Sequence, residues 1–142
     1  MAINMLSMGS EQPPDLPYLG HNCRELGLML RGMKPLAYFL NFVPRELGAN
    51  IRYWRMFDRH VVAGRFIKRE LFWLFNGLEH RRLFYALPDH EWRIDAMNAL
   101  LNELHECKVW SDDHERRSSE LLGYESWQID HWLAYLRSRA DA

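Results

Sequence analysis

Three arginines, Arg52, Arg55 and Arg59, recur at i, i+3 and i+7, a spacing that lines up one face of a helix. A guanidinium is a planar fork of donors, so such a stripe suits carboxylate or phosphate groups on a partner. Arg45 extends the stripe by two further turns if the helix begins earlier. The alternative is a solvated helix face whose charges are balanced by acidic neighbours in the same chain.

A second group falls between residues 69 and 84, where Arg69, His80 and Arg82 interleave with Trp73 and Phe84. Single-stranded nucleic acids favour this type of basic and aromatic mixture, although core packing explains the rings equally well. Nucleic acid is disfavoured as the natural partner by a pI of about 6.7 and by the acidic second half described below, which would repel phosphates. Acid and base groups are also at hand, with His60, His80 and Glu91 as the candidates for proton transfer.

Arg93 stands out for a different reason. On a helix opening near Asp89 it falls within the apolar arc of Met97, Leu100 and Leu104, so its charge needs a partner. It is either an internal ion pair with a carboxylate such as Glu70, a side chain snorkelling at the helix end, or a clamp for an anionic ligand.

Other chemistries lack their signatures. The seven histidines contain no His-x-x-x-His or His-Glu-x-x-His spacing, and His105 and Cys107 point apart on a helix, so no metal site is expected. There is no Gly-x-Ser-x-Gly, no glycine-rich phosphate loop and no dinucleotide fingerprint, so no cofactor is expected. Cys23 and Cys107 read as free thiols of a reducing compartment, and no apolar run approaches a membrane span; a cytoplasmic protein is the expectation.

Charge is divided along the chain. Residues 21–85 hold 12 Lys and Arg against 5 Asp and Glu, while residues 86–142 hold 6 against 12. The halves either neutralise each other or leave a basic surface for a ligand. Fifteen of the eighteen basic residues are Arg.

The elements that must position these groups follow from periodicity. Residues 1–19, with Pro13, Pro14 and Pro17, read as a mobile leader to a single domain over 20–142. Asn22 can cap a short helix that Gly32 stops, and Leu36 to Phe42 reads as a buried strand. Ile51, Trp54, Phe57 and Val61 make a helix from Asn50 that Gly64 terminates.

Asn76-Gly77 between apolar runs marks a hairpin of residues 65–75 and 79–87, in competition with a helix through Lys68 to Leu74. A two-residue turn sets Phe75 opposite Leu78, so that Ile67, Arg69, Leu71 and Trp73 share a face with His80, Arg82, Phe84 and Ala86. Neither face alternates cleanly to polar, which predicts helices on one side and a partner or ligand surface on the other.

Three helices follow. Caps are expected at Asp89, at Asp112 with Glu115 as a capping box, and at Ser126. Lys34-Pro35-Leu36-Ala37 and Leu121-Leu122-Gly123-Tyr124 look like motifs, but no activity attaches to either.

The fold expected is α+β, about three antiparallel strands with three C-terminal helices packed on the sheet. The function expected is a binding module that uses Arg52, Arg55, Arg59, Arg69, Arg82, Arg93 and Trp73 against an acidic protein surface or a small anionic ligand, with homodimerisation open. The competing expectation is a small cofactor-independent acid-base enzyme acting on a carboxylate- or phosphate-bearing metabolite.

Overall fold

Asn76 and Gly77 both take positive φ, 53° and 75°, the conformation that lets a two-residue turn follow the right-handed twist of its strands. They join β2 (Ile67–Phe75) to β3 (Leu78–Ala86). The register is the expected one, with Phe75 opposite Leu78, Trp73 opposite His80 and Arg69 opposite Phe84. The helix alternative over Lys68 to Leu74 is thereby excluded.

The computed structural model describes residues 16–42 and 48–141. Arg45 and the first fifteen residues of the expected leader lie outside them. In chain order the elements are α1 (Glu25–Leu30), β1 (Leu36–Phe42), α2 (Gly48–Val62), the hairpin β2 and β3, a 3-10 turn (Pro88–His90), α3 (Trp92–Cys107), α4 (Asp112–Leu121) and α5 (Ser126–Ala140). The sheet order is β1-β3-β2, and β1 pairs antiparallel with β3 through Tyr38 opposite Phe84. This is the α+β architecture, and the three C-terminal helices pack on one sheet face.

Alternation along the strands builds two cores. On one face Leu36, Tyr38, Phe84 and Ala86 pack with Ile94, Met97 and Leu100 of α3 and with Ile129 and Leu133 of α5. On the other, Ala37, Phe39, Leu83 and Tyr85 meet Met29 of α1 and Trp54 and Phe57 of α2, with the Phe57 and Tyr85 rings stacked at 4.7 Å. Over β1 and β3 the expectation that one sheet face stays open for a ligand is therefore corrected, while Phe72 and Leu74 of β2 stay exposed on that second face. The apolar stripes of α1 and α2 need burial as much as those of α3 to α5, and only the second face is left to supply it.

Helix starts fall one or two residues from the expected ones. Ser111, not Asp112, caps α4, accepting from the His114 N–H while the His114 side chain answers the Ser111 N–H. That frees Glu115 to turn inward, where it accepts the indole N–H groups of Trp110 and Trp132. Glu125, not Ser126, caps α5 with Gln128. Neither Asn22 nor Asp89 caps, since α1 starts after Arg24 and α3 after Glu91, both without a side-chain cap. Tyr18, in the stretch read as leader, is half-buried against Tyr124 and Trp127 and donates to the Gln128 carbonyl at 2.8 Å. Among the described residues no helix is long and apolar enough to cross a membrane.

Candidate functional site

Burying Trp54 and Phe57 fixes the rotation of α2 and turns Arg52, Arg55 and Arg59 outward. All three are exposed, and none forms an ion pair among the described residues. The carboxylate nearest in sequence is committed elsewhere: Asp58 takes Lys68 at 2.9 Å and the Tyr85 hydroxyl at 2.7 Å.

The acidic half cannot reach this stripe, because α3 to α5 lie across the sheet from α2. Four of its carboxylates are instead matched locally, Asp130 by Arg116 at 2.7 Å, Asp113 and Glu103 by Arg117 at 2.9 and 3.0 Å, and Asp112 by Arg137 at 2.9 Å. Charge crosses between the halves through Arg69, which binds Glu91 and Asp95 at the start of α3. Mutual neutralisation thus operates at Arg69 and leaves the α2 stripe out.

Arg82 and Trp73 do come together on the hairpin face. The Arg82 guanidinium lies over the Trp73 ring at 4.5 Å and donates to the amide oxygens of Asn98 and Asn102 at 2.7 and 2.8 Å. His80 stacks on the same indole, and His105 meets it edge-on. Burial lowers the Arg82 pKa and, with the Arg82 charge second, that of His105.

Arg93 does not pair with Glu70. Its Nη1 donates to the Glu120 and Leu121 carbonyls at 3.0 and 3.1 Å and its Nε to His90, so it closes the carboxyl end of α4, where helix carbonyls are left unpaired. Glu70 pairs with Lys68 at 3.1 Å instead. The three proton-transfer candidates do not converge either: His60 accepts from Arg65, His80 stacks on Trp73, and Glu91 binds Arg69.

A site that no sequence motif assigns lies where the two motif-like runs meet. Lys34, only 2% exposed, donates from Nζ to the Leu122 carbonyl at 2.9 Å and stands 2.8 Å from His21 Nδ1. A charged lysine can only donate, so His21 then accepts at Nδ1 and carries its proton on Nε2. The His21 ring stacks on Tyr124 at 3.7 Å, and the Tyr124 hydroxyl accepts the His21 backbone N–H. Glu25 is buried beside them, with neither oxygen at hydrogen-bonding geometry to a partner among the described residues.

Burial dominates the electrostatics of this cluster. It pulls Lys34 down to about 7, an effect that the Glu25 charge opposes. It pulls His21 down to about 2, with the charges of Lys34 and Arg24 adding to it, and it pushes Glu25 up against the pull of Lys34. A cavity of about 10 Å³ opens between His21, Glu25, Lys34, Tyr38 and Tyr124, room for about one water. The only signal in the sequence was a lysine set among Met33, Pro35, Leu36 and Ala37.

Among the described residues no three His, Cys, Asp or Glu side chains are placed to hold a metal ion. Compared with protein families, with curated proteins and with solved structures, the chain matches none.

Proposed function

We propose that this chain is a cytoplasmic binding module in which the arginine face of α2 engages an acidic protein surface or a small anionic ligand. The observation that carries this reading is the placement of Arg52, Arg55 and Arg59 on the opposite side of the sheet from the acidic helices, exposed and without an ion pair among the described residues. A rim of exposed charge steers and orients a partner more than it adds affinity, which suits a reversible module. Cys23 and Cys107 are exposed free thiols, in keeping with a reducing compartment.

The test is titration of the protein with a labelled poly-glutamate peptide and, in a separate arm, with inorganic polyphosphate. Three exposed pairs at about 0.5 kcal/mol each imply that replacing Arg52, Arg55 and Arg59 together by Gln weakens binding about tenfold. Binding to both polyanions that is unchanged by the triple substitution removes the reading.

A second reading, acid-base chemistry on a small carboxylate or phosphate, draws on the convergence of Lys34, His21 and Glu25 rather than on His60, His80 and Glu91. With room for about one water, it requires the cluster to open to substrate. The chain has three lysines, so amine labelling can be mapped residue by residue. Labelling of Lys34 in the folded protein at neutral pH would support this reading, and full protection would remove it.

A further inference from the structure

β2 differs from the other two strands in how little of it is covered. Every β2 residue whose burial is described is half-buried or exposed, whereas Leu36–Phe39 of β1 and Arg82–Ala86 of β3 are buried. Among the described residues β2 lies at an edge of the sheet and pairs with β3 alone. Beyond that ladder its backbone forms no backbone hydrogen bond among the described residues. An open edge is a template for another strand, and proteins guard such edges with charge.

Here the guard covers half of the strand. Lys68, Arg69 and Glu70 are charged, and their ion pairs to Asp58, Glu91 and Asp95 tie that half to α2 and α3. From Leu71 to Phe75 there is no charge at all. Within this stretch Phe72 is 54% exposed and Leu74 is 74% exposed, on the same sheet face.

We propose that the uncharged half of β2 pairs antiparallel with the same segment of a second copy of this chain, about a two-fold axis passing through Trp73 and perpendicular to the sheet. Side-chain alternation restricts the choice of register, because residues facing one another across the pair must lie on one face. An axis at Trp73 sets Phe72 against Leu74 of the other copy, twice, and leaves all charges outside. Moving the axis to Phe72 places Glu70 against Leu74 of the other copy. Moving it to Leu71 sets Glu70 against Phe72 and Lys68 against Leu74. Both of these shifts bury a charge against an apolar side chain, and moving the axis the other way, to Leu74, sets Phe72 against Asn76 of the turn and loses the Phe72–Leu74 contacts.

A second copy also fits better than an unrelated extended peptide, since the exposed pair complements itself under the two-fold. The product is a six-stranded sheet with both α2 helices on one side, so that two arginine faces point the same way. The pairing does not depend on what those arginines bind.

Sedimentation of the full chain across a concentration series tests the proposal. The expected result is a reversible shift from 17.1 kDa toward twice that mass. Phe72→Lys and Leu74→Lys, at exposed positions that folding does not need, each raise the dissociation constant about tenfold or more while thermal melting of the dilute monomer is unchanged. The register is read from two double variants. Phe72→Lys/Leu74→Glu sets opposite charges across the axis and dimerises more strongly than Phe72→Lys/Leu74→Lys, whose charges repel. A chain that stays monomeric at high micromolar concentration overturns the proposal. So does a dimer that survives Leu74→Lys, or equal behaviour of the two double variants.

Discussion

A Cβ at Gly123 would sit 2.6 Å from Pro35 Cδ and 3.4 Å from Lys34 Cα. The turn after α4 thus presses its backbone against the start of β1. That contact brings the Leu122 carbonyl to the buried Lys34 amine and Tyr124 to the His21 ring. Gly123 also has φ of +95°, so both its conformation and the lack of space exclude a side chain.

Gly123→Ala should consequently lose stability on two counts. The left-handed backbone costs about 1 kcal/mol and the overpacking about 1–3 kcal/mol, giving about 2–4 kcal/mol in urea denaturation. Gly64 supplies the control, because it has φ of +79° and a methyl added there would meet nothing within 4 Å; Gly64→Ala should cost only about 1 kcal/mol. Equal losses at the two positions would mean that the approach to Pro35 relaxes freely.

His21 gives a stability signal in acid. Its folded pKa lies at about 2 against a usual 6.5, held down by burial first and by Lys34 second. Below pH 6.5 the unfolded chain binds a proton that the folded chain refuses, so this contribution is complete above pH 6.5 and is lost as the pH falls toward 2. Glu25 acts in the opposite sense, because its raised pKa lets the folded chain hold a proton that the unfolded chain releases. The readout is accordingly a difference: between pH 7 and pH 5 the wild-type chain should lose about 2 kcal/mol more than His21→Asn, which keeps an acceptor near Nδ1. Parallel pH curves for the two proteins would show that His21 protonates without opposition from the fold.

Local chemistry explains which features could be read from the sequence. Asn76-Gly77 demands positive φ at two successive residues, which fixes the hairpin, and period-two alternation then fixes which side chains Trp73 and Arg82 join. The stripe on α2 was legible because Trp54 and Phe57 define the buried arc of the same helix. Arg93 stood out as a charge in an apolar arc, but its partners are the Glu120 and Leu121 carbonyls, and backbone groups carry no side-chain signature. The Lys34 cluster was hidden for a related reason. Leu122 lies 88 residues from Lys34, and although Gly123 marks the stop of α4 and Tyr124 a packing aromatic, nothing in either run says that this turn meets the start of β1.

Lys34 supplies the opposite end of the pH range. Burial lowers its folded pKa from 10.5 to about 7, with Glu25 pulling the other way. Between those values the unfolded chain carries a proton that the folded amine has released, so stability should rise as the pH is raised from 7. One proton accounts for about 1.4 kcal/mol per pH unit, or about 3 kcal/mol by pH 9.5. Above pH 10 the trend reverses, because burial holds the Tyr18 hydroxyl at about 12 and the folded chain then keeps a proton that the unfolded chain loses. Lys34→Met removes the titrating amine and should flatten the rise between pH 7 and 9.5 whatever it does to stability at pH 7. A rise of the same size in Lys34→Met, measured by urea denaturation at matched ionic strength, would assign it to another group and leave Lys34 charged throughout.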